Sequence, residues 1–254
     1  MKRLLTATAC MLLPLSTWAD DSARANYAAA VEDWQAVLTA YVDDSGRTDF
    51  AALAKAPAKL ESYVQAVADY GPATDPGGFD SQAAVLAYHA NTYNALAMHG
   101  VINEGIPEDF DSFFKRAGFF KFRDVQIDGQ KTNLYDYENK VIRPLNEPRM
   151  HFVLNCMVRD CPRLPQEAFL PASMEQQLED AAREFINSDK YVRVDDGKKL
   201  IEVSAIFDFY TKDFVPSGKA LDLPDYMNPY RNEPLPAGYK VKYLDYDWTI
   251  NQSP

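Results

Sequence analysis

Apolar residues in the first third of the chain recur at the spacing of amphipathic helices. Five of them follow one another at steps of three or four, which places them on one helix face: Tyr27, Val31, Trp34, Leu38 and Tyr41. A second helical pattern runs through "KLESYVQAVADY", and the glycines and prolines of "GPATDPGG" then predict a break. We therefore predict an N-terminal helical region over residues 20–80.

The next segment, "DSQAAVLAYHANTYNALAMHGVINEG", predicts a helix that is apolar or small almost all the way round. A helix of this composition is usually buried at the centre of a fold. It nevertheless carries His89, Asn91 and Asn94, and an unpaired buried polar group costs about 1–3 kcal/mol. We interpret these side chains as hydrogen-bonding groups that tie the helix to a sheet. The functional alternative is that they line a pocket together with His151.

Beyond this helix the apolar spacing changes to that of strands. Two β-hairpins are predicted around the Asp-Gly pairs that begin at Asp128 and Asp196. "RMHFVLNC" predicts a strand buried on at least one face, and "YKVKYLDYDW" predicts a last strand. "SMEQQLEDAAREFINS" predicts a helix with Ser173 as its N-cap and Gln176 closing a capping box.

Helices followed by hairpins with interspersed helices indicate an α+β fold. We expect the N-terminal helices and the buried central helix to pack on a mostly antiparallel sheet. Hydrophobic residues make up 47% of the chain, which is ample for a packed core. The core domain is predicted over residues 81–254.

Residues 1–19 have the composition of a secretory signal peptide. "MKRLL" is basic, the apolar run that follows is shorter than the roughly 18 residues of a membrane span, and Thr17 and Ala19 suit a cleavage site. We expect cleavage after Ala19 and export, to a bacterial periplasm or beyond, where cysteines can oxidise. No segment after Ala19 predicts a membrane span.

The chain is acidic, with a formal net charge of −11, and loss of Lys2 and Arg3 with the signal peptide makes it more so. Such a surface repels phosphate backbones, and no basic run stands out, so nucleic acid is not predicted as a partner. The chain has no G-x-S-x-G, P-loop, Rossmann or HExxH motif, and no cofactor is predicted. The carboxylates of "DYENK" and "DFYTKDF" are interpreted as helix faces.

The densest group of reactive residues lies in "RMHFVLNCMVRDCPRLP". One interpretation is a disulfide between Cys156 and Cys161, for which the intervening chain must bend to bring the Cα atoms within about 4.4–6.8 Å. Another is a thiol nucleophile at Cys161, where Pro162 favours a helical turn that lowers the thiol pKa. His151 then supplies the base.

Two further interpretations stay open. Cys156, Cys161 and His151, with Asp160 or His89 as a fourth ligand, have the residue types of a zinc site. The C-x₄-C spacing is loose and no second Cys or His pair accompanies it, so no metal site is predicted. The last interpretation is that both thiols are buried and inert.

Five segments occur in one order along the chain: "YHANTYNALAMHGVI", "IDGQKTNLYDYENKVIRPL", "EPRMHFVLNCMVRDCPRLPQEAF", "VSAIFDFYTKDF" and "VKYLDYDWTIN". Together they resemble the DUF547 family, a domain of unassigned function in secreted bacterial proteins and some plant proteins. The resemblance covers roughly Trp34 to Asn251. More distantly, the chain is similar to papain-like and transglutaminase-like thiol enzymes, which implies a papain-like variant of the α+β fold.

The papain-like resemblance implies residue roles. Such enzymes use a cysteine at the start of a central helix, a histidine on a following strand, and an asparagine or aspartate that orients the imidazole. His151 falls where the base belongs, and Asn155 or Asp160 where the orienting group belongs. The central helix has asparagines instead of a cysteine at the expected place, so the nucleophile would be Cys161.

Two hypotheses of function follow. The first is a thiol-dependent hydrolase or acyl-transferase that acts on envelope peptides or other amides. The second is a non-catalytic binding module that keeps a papain-like cleft and takes a small molecule or peptide. A Cys161 sulfur within reach of a His151 ring nitrogen favours the enzyme, and a Cys156–Cys161 disulfide favours the module. The sequence leaves the substrate and the oligomeric state open.

Overall fold

The computed structural model of the protein describes residues 16–253. Its α-helices are α1 (Ser16–Tyr41), α2 (Phe50–Leu53), α3 (Ala58–Asp69), α4 (Gln82–Asn103), α5 (Phe113–Arg116), α6 (Leu134–Tyr137), α7 (Met174–Asn187), α8 (Ile206–Phe209), α9 (Thr211–Phe214) and α10 (Leu223–Met227). The strands are β1 (Val125–Ile127), β2 (Gln130–Thr132), β3 (Val192–Asp195), β4 (Leu200–Val203) and β5 (Lys240–Tyr243). The expected α+β class is confirmed.

Short helical segments of other types connect these elements. Two are π-helical, Ala117–Phe122 and Glu138–Ile142. The 3₁₀ segments are Pro76–Gly78, Arg143–Leu145, Pro148–Phe152, Ala220–Asp222 and Asn228–Tyr230. The predicted signal peptide, residues 1–19, falls mostly on residues outside the described part and stays a prediction, as does the domain boundary at residue 80.

The N-terminal helices α1 and α3 pack against each other, as their amphipathic spacing predicts. The ring of Tyr27 on α1 lies 5.4 Å from that of Tyr70 and 5.7 Å from that of Tyr88 on α4. Trp34 is 1% exposed and donates from Nε1 to Asn91 Oδ1 on α4 at 3.1 Å. The aromatic face of α1 therefore anchors it to the central helix.

The central helix α4 is buried along nearly its whole length, which confirms the prediction from its composition. Ser81 caps its first turn, because its Oγ accepts from Ala84 N at 3.2 Å. Gly105 follows the last turn with φ of 76°, a conformation that glycine adopts without steric cost. A side chain at Gly100 would place its Cβ 2.8 Å from the Phe119 ring, so this glycine permits close packing.

Both predicted hairpins are present. β1 and β2 pair antiparallel around Asp128 (φ 52°) and Gly129 (φ 73°), the left-handed pair that a two-residue hairpin requires. β3 and β4 also pair antiparallel, but Lys199 rather than Gly197 takes the left-handed conformation in their turn. β5 adds to β4 in parallel, with Val203 opposite Tyr243.

The hydrophobic side chains form two cores. The first joins α1, α3 and α4 to the segment that follows Pro148. In the second, the three-stranded sheet packs against α7, with Val192 and Ile201 beside Phe185 and Ile186. The sheet therefore rests on α7, and α4 lies behind that helix rather than directly under the strands.

Two local predictions are wrong. The expected strand "RMHFVLNC" is a 3₁₀ helix over its first half, because Pro148 presets a helical φ and Glu147 Oε1 accepts from Arg149 N at 3.1 Å. The expected capping box at α7 is absent, since Ser173 Oγ bonds to Gln177 Oε1 at 3.0 Å and makes no bond to the first helical turn. A weak apolar alternation of eight residues does not separate a strand from a 3₁₀ turn.

Candidate functional site

Cys156 and Cys161 form a disulfide, with Cα atoms 6.1 Å apart. The loop between them bends because Asn155 holds both of its ends. Its Oδ1 accepts from Met157 N at 2.7 Å, and its Nδ2 donates to Pro162 O at 2.6 Å. Met157 completes the bend with a left-handed φ of 64°. In this structure Asn155 is thus a loop-shaping residue.

The disulfide is held from outside by one tyrosine. Tyr246 Oη lies 3.6 Å from Cys156 Sγ and donates to Cys161 Sγ at 3.5 Å. Cys156 N also donates to Cys161 Sγ, at 3.0 Å. The Cys161 sulfur is therefore bonded to Cys156 and is not a thiolate, so a nucleophilic role requires prior reduction.

His151, on the 3₁₀ helix, is oriented by a residue that the sequence did not single out. Its Nε2 donates to Asp213 Oδ2 on α9 at 2.9 Å, and its ring stacks on Tyr210 with centroids 3.9 Å apart. The two residues expected to orient His151 bond to other groups instead. Asn155 shapes the loop, and Asp160 accepts from the backbone of Asp247 at 2.8 Å.

Arg143 completes the Asp213 contacts with two hydrogen bonds, from Nε at 2.6 Å and from Nη2 at 2.8 Å. Burial alone would raise the pKa of Asp213, but the hydrogen bonds from Arg143 and His151 hold it well below its usual range. Asp213 is therefore a carboxylate near neutral pH. Because a carboxylate only accepts, Nε2 of His151 carries the proton of this hydrogen bond.

The polar side chains of α4 have their hydrogen bonds inside the protein. Asn91 Oδ1 accepts from Phe169 N at 2.9 Å, and its Nδ2 donates to Phe169 O at 2.7 Å. Asn94 Nδ2 donates to Val153 O at 2.9 Å and its Oδ1 accepts from Asn155 N at 2.7 Å. The interpretation as tying groups fits these contacts, but their partner is the loop 153–169 and not a sheet.

His89, the third of these residues, is buried beside aromatic rings. Its Nδ1 lies 2.7 Å from Tyr137 Oη, and its ring meets Tyr88 edge to face at 5.2 Å. None of His89, Asn91 and Asn94 is among the described residues that line a cavity with His151. Within the described residues, no three His, Cys, Asp or Glu side chains are placed to hold a metal ion.

A cleft of about 370 Å³ contains both the disulfide and His151, and we name it the aromatic cleft. It is lined by Tyr93, Phe113, Arg116, Ala117, Phe120, Lys121, Tyr135, Glu138, His151, Leu154, Cys156, Cys161, Pro162, Ile206, Phe209, Tyr210, Tyr246 and Trp248. Its size falls within the ~300–1,000 Å³ of small-molecule sites. A separate cavity of about 330 Å³ beside α7 contains none of the predicted site residues.

Glu138 is the acidic group of the aromatic cleft and is 8% exposed. Tyr93 Oη donates to its Oε2 at 3.3 Å. Burial, and then the nearby Glu138, raises the pKa of both Tyr93 and Tyr210 well above the usual value, so both hydroxyls stay protonated and can donate. The aromatic cleft thus combines apolar walls with a buried carboxylate and the imidazole ring of His151.

Two basic residues line the same cleft. Arg116 lies over the Trp248 ring at 4.6 Å and donates to the carbonyls of Phe110 and Asp111. Lys121 lies 5.4 Å from the Tyr135 ring. Within the described chain neither forms an ion pair with a carboxylate, so both charges are available to an anionic group.

Sequence reasoning missed Glu138 and Asp213, whose carboxylates it interpreted only as parts of helix faces. Each stands among aromatic residues, in "YDYENK" and "DFYTKDF", and that context was a usable signal. An acidic residue next to several aromatic ones is more often partly buried than one in a polar run, and buried charges need partners.

A family model described as "Protein of unknown function, DUF547" matches residues 79–186 of the chain. This match supports the resemblance found in the sequence motifs, and it includes Glu138, His151 and both cysteines of the disulfide. Asp213 and Tyr246 lie outside it. No curated protein and no solved structure matches the chain.

Proposed function

We propose that this chain, with its DUF547 match over residues 79–186, is a binding module that takes a small peptide or related amide in the aromatic cleft. One observation carries the proposal: apolar walls surround a buried carboxylate, Glu138, while the candidate nucleophile Cys161 is held in a disulfide. The cleft is thus equipped to hold a ligand and, in this state, lacks a thiolate that could attack it.

The walls suit an apolar or aromatic side chain. Phe209, Tyr246 and Trp248 form one continuous ring cluster, with centroids 5.4 Å apart for the first pair and 4.7 Å for the second. Phe113 and Phe120, which come earlier in the chain, add two more rings to the wall of the cleft. Aromatic surfaces contribute large contact areas at little cost in side-chain entropy, which favours binding of a flexible peptide.

The charges suit the two ends of a short peptide. The carboxylate of Glu138 is an acceptor, so it matches an ammonium group or an amide N–H group of the ligand. Arg116 and Lys121 are donors without a carboxylate partner in the described chain, so they match a carboxylate. A zwitterionic dipeptide with an apolar side chain satisfies both.

The test uses three matched probes, the dipeptide Leu-Phe, its N-acetyl derivative and its C-terminal amide, with affinities measured by calorimetry. We expect the free dipeptide to bind best, because acetylation removes the ammonium group and amidation removes the carboxylate. Equal affinities for all three, or binding of none, would overturn the proposal for peptides.

Glu138→Gln should weaken binding of the free dipeptide about tenfold or more, because a charge-assisted hydrogen bond contributes roughly 1.5–3 kcal/mol. The same substitution should leave the weak binding of the N-acetyl probe unchanged. Glu184→Gln is the matched control, since Glu184 pairs with Arg163 outside the aromatic cleft. If Glu184→Gln also weakened binding of the free dipeptide tenfold, the effect could not be attributed to a contact between Glu138 and the ligand.

A thiol-dependent hydrolase or acyl-transferase is the second candidate. It is supported by the cleft itself, which brings the disulfide and His151 into one cavity, with Asp213 orienting the imidazole. This activity needs a dithiol that reduces the disulfide and frees the Cys161 thiol. His151 can then accept the thiol proton once the two side chains come within reach.

The second candidate predicts hydrolysis of Leu-Phe p-nitroanilide only after treatment with dithiothreitol. Cys161→Ser should abolish that activity, whereas Cys156→Ser should retain it without any reductant, because Cys161 is then permanently free. Absence of activity in Cys156→Ser would leave the binding module as the function of the cleft.

We also propose that the protein works outside the cytoplasm. The predicted signal peptide and the disulfide support this location, since structural disulfides persist mainly in oxidising compartments. Fusion of residues 1–25 to alkaline phosphatase lacking its own signal should give active enzyme in a bacterial host. An inactive fusion would contradict export.

A further inference from the structure

Three phenylalanines are exposed on α5 and on the π-helical turn that follows it. Phe113 is 70% exposed, Phe114 84% and Phe122 74%. We name these three side chains the phenylalanine patch. Single exposed apolar residues are ordinary, but three large ones within ten residues mark a surface that contacts something else.

The segment that carries the patch is firmly attached to the protein. Phe119 is buried and its ring lies 4.5 Å from that of Phe110. Ser112 Oγ caps the first turn by accepting from Lys115 N at 3.1 Å. Because α5 continues directly into the π-helical turn 117–122, the three exposed phenylalanines stand on one continuous helical segment, which buried Phe119 anchors in the core.

Basic residues are concentrated in the segment that carries the patch. Residues 113–123, "FFKRAGFFKFR", contain four basic residues and no acidic one, in a chain whose net charge is −11. Of the four, Lys115 pairs with Asp109 at 2.7 Å, whereas Lys121 contacts only the Tyr135 ring among described residues. The carboxylates nearest in the chain flank the segment: Asp109 and Asp111 precede it, and Asp124, which pairs with Lys131, follows it.

We propose that the phenylalanine patch docks on the surface of a lipid bilayer. Its rings would enter the boundary between headgroups and acyl chains, and the neighbouring basic side chains would contact lipid phosphates. This combination of exposed phenylalanines with lysine and arginine complements a phosphate-covered apolar surface. No described helix is long and apolar enough to cross a membrane.

The segment that carries the phenylalanine patch also contributes to the aromatic cleft. Phe113 and Lys121 belong to residues 113–123, which carry the phenylalanine patch, and both also line the aromatic cleft. Docking therefore brings the mouth of the cleft to the membrane surface. The docking proposal does not rest on the proposed peptide binding, since it follows from exposure and charge alone. Either can fail without the other.

The test is sedimentation of the purified mature chain with vesicles of phosphatidylcholine and phosphatidylglycerol in 0.15 M salt. We expect Phe113→Ser/Phe114→Ser/Phe122→Ser to lower the vesicle affinity about tenfold or more, because interfacial binding scales with buried apolar area. Leu170→Ser/Leu221→Ser is the control, since Leu170 and Leu221 are also exposed but lie elsewhere. Unchanged sedimentation of the triple variant would overturn the proposal.

Two further measurements test whether the phenylalanine patch contacts lipid. Phe114→Trp should show a blue-shifted emission that brominated phosphatidylcholine quenches, which reports insertion of this position. Lys121→Gln should weaken binding to vesicles with phosphatidylglycerol more than to vesicles of phosphatidylcholine alone. Failure to bind vesicles, together with a concentration-dependent dimer that the triple variant abolishes, would instead make the patch a contact between copies of the chain.

Discussion

Asn91→Ala should lower the free energy of unfolding by about 4 kcal/mol, which is the largest effect that we expect from a polar substitution in this protein. Asn91 is 1% exposed and serves three buried groups at once, Trp34 Nε1, Phe169 N and Phe169 O. Alanine supplies none of these hydrogen bonds. Each group left without a partner costs roughly 1–3 kcal/mol, so three cost roughly 3–9 kcal/mol, and partial relaxation of the site keeps the expected total in the lower half of that range.

The measurement is urea unfolding of the oxidised protein at neutral pH, followed by tryptophan fluorescence. Asn103→Ala is the control, because Asn103 lies near the end of the same helix but is exposed, and its loss should change the free energy of unfolding by less than about 0.5 kcal/mol. If Asn91→Ala cost no more than this control, the network between α4 and loop 153–169 would not stabilise the fold.

Acidification from pH 7.5 to pH 4 should destabilise the protein by about 3 kcal/mol through His89 alone. Burial lowers the pKa of His89 to about 4, and the more distant Asp128 only partly opposes this shift. Between that value and the ordinary pKa near 6.5, the unfolded chain binds a proton that the folded chain does not. Stability is therefore complete above about pH 6.5 and is lost as the pH falls toward 4.

His89→Gln isolates this contribution, because glutamine does not titrate and can still bond to Tyr137. We expect the variant to lose about 3 kcal/mol less than the unmodified protein over the same pH range. His99, whose pKa is lowered by burial and by Arg123, acts in the same direction in both proteins and cancels in the comparison. Parallel pH profiles for the two proteins would show that His89 is not held neutral by burial.

The predicted roles of Cys161 and His151 depend on where the chain brings their partners. His151 Nε2 bonds to Asp213 rather than to Asn155 or Asp160. The nearby asparagine was a reasonable expectation from the papain-like resemblance, but it is used to bend the loop that closes the disulfide. An orienting residue 62 positions away could not be selected from the sequence, since many acidic residues lie at similar distances.

The α+β class, the buried central helix and the two hairpins were predictable from the sequence. Helical and strand periodicities, and the Asp-Gly pair at Asp128, are properties of residues close together in the chain. The burial of α4 also followed from composition, because a helix without a polar face is stable only inside a core. The net charge of the whole chain also led to the prediction that nucleic acid is not a partner, and this stays a prediction.

Only the tertiary structure decided which side chains meet. It placed Glu138, His151 and Tyr246, from three separate segments, in one aromatic cleft, and it left Phe113, Phe114 and Phe122 exposed. It also turned the segment after Pro148 into a 3₁₀ helix. These outcomes depend on contacts between distant parts of the chain, and local pattern carries no information about which of many similar partners the fold brings together.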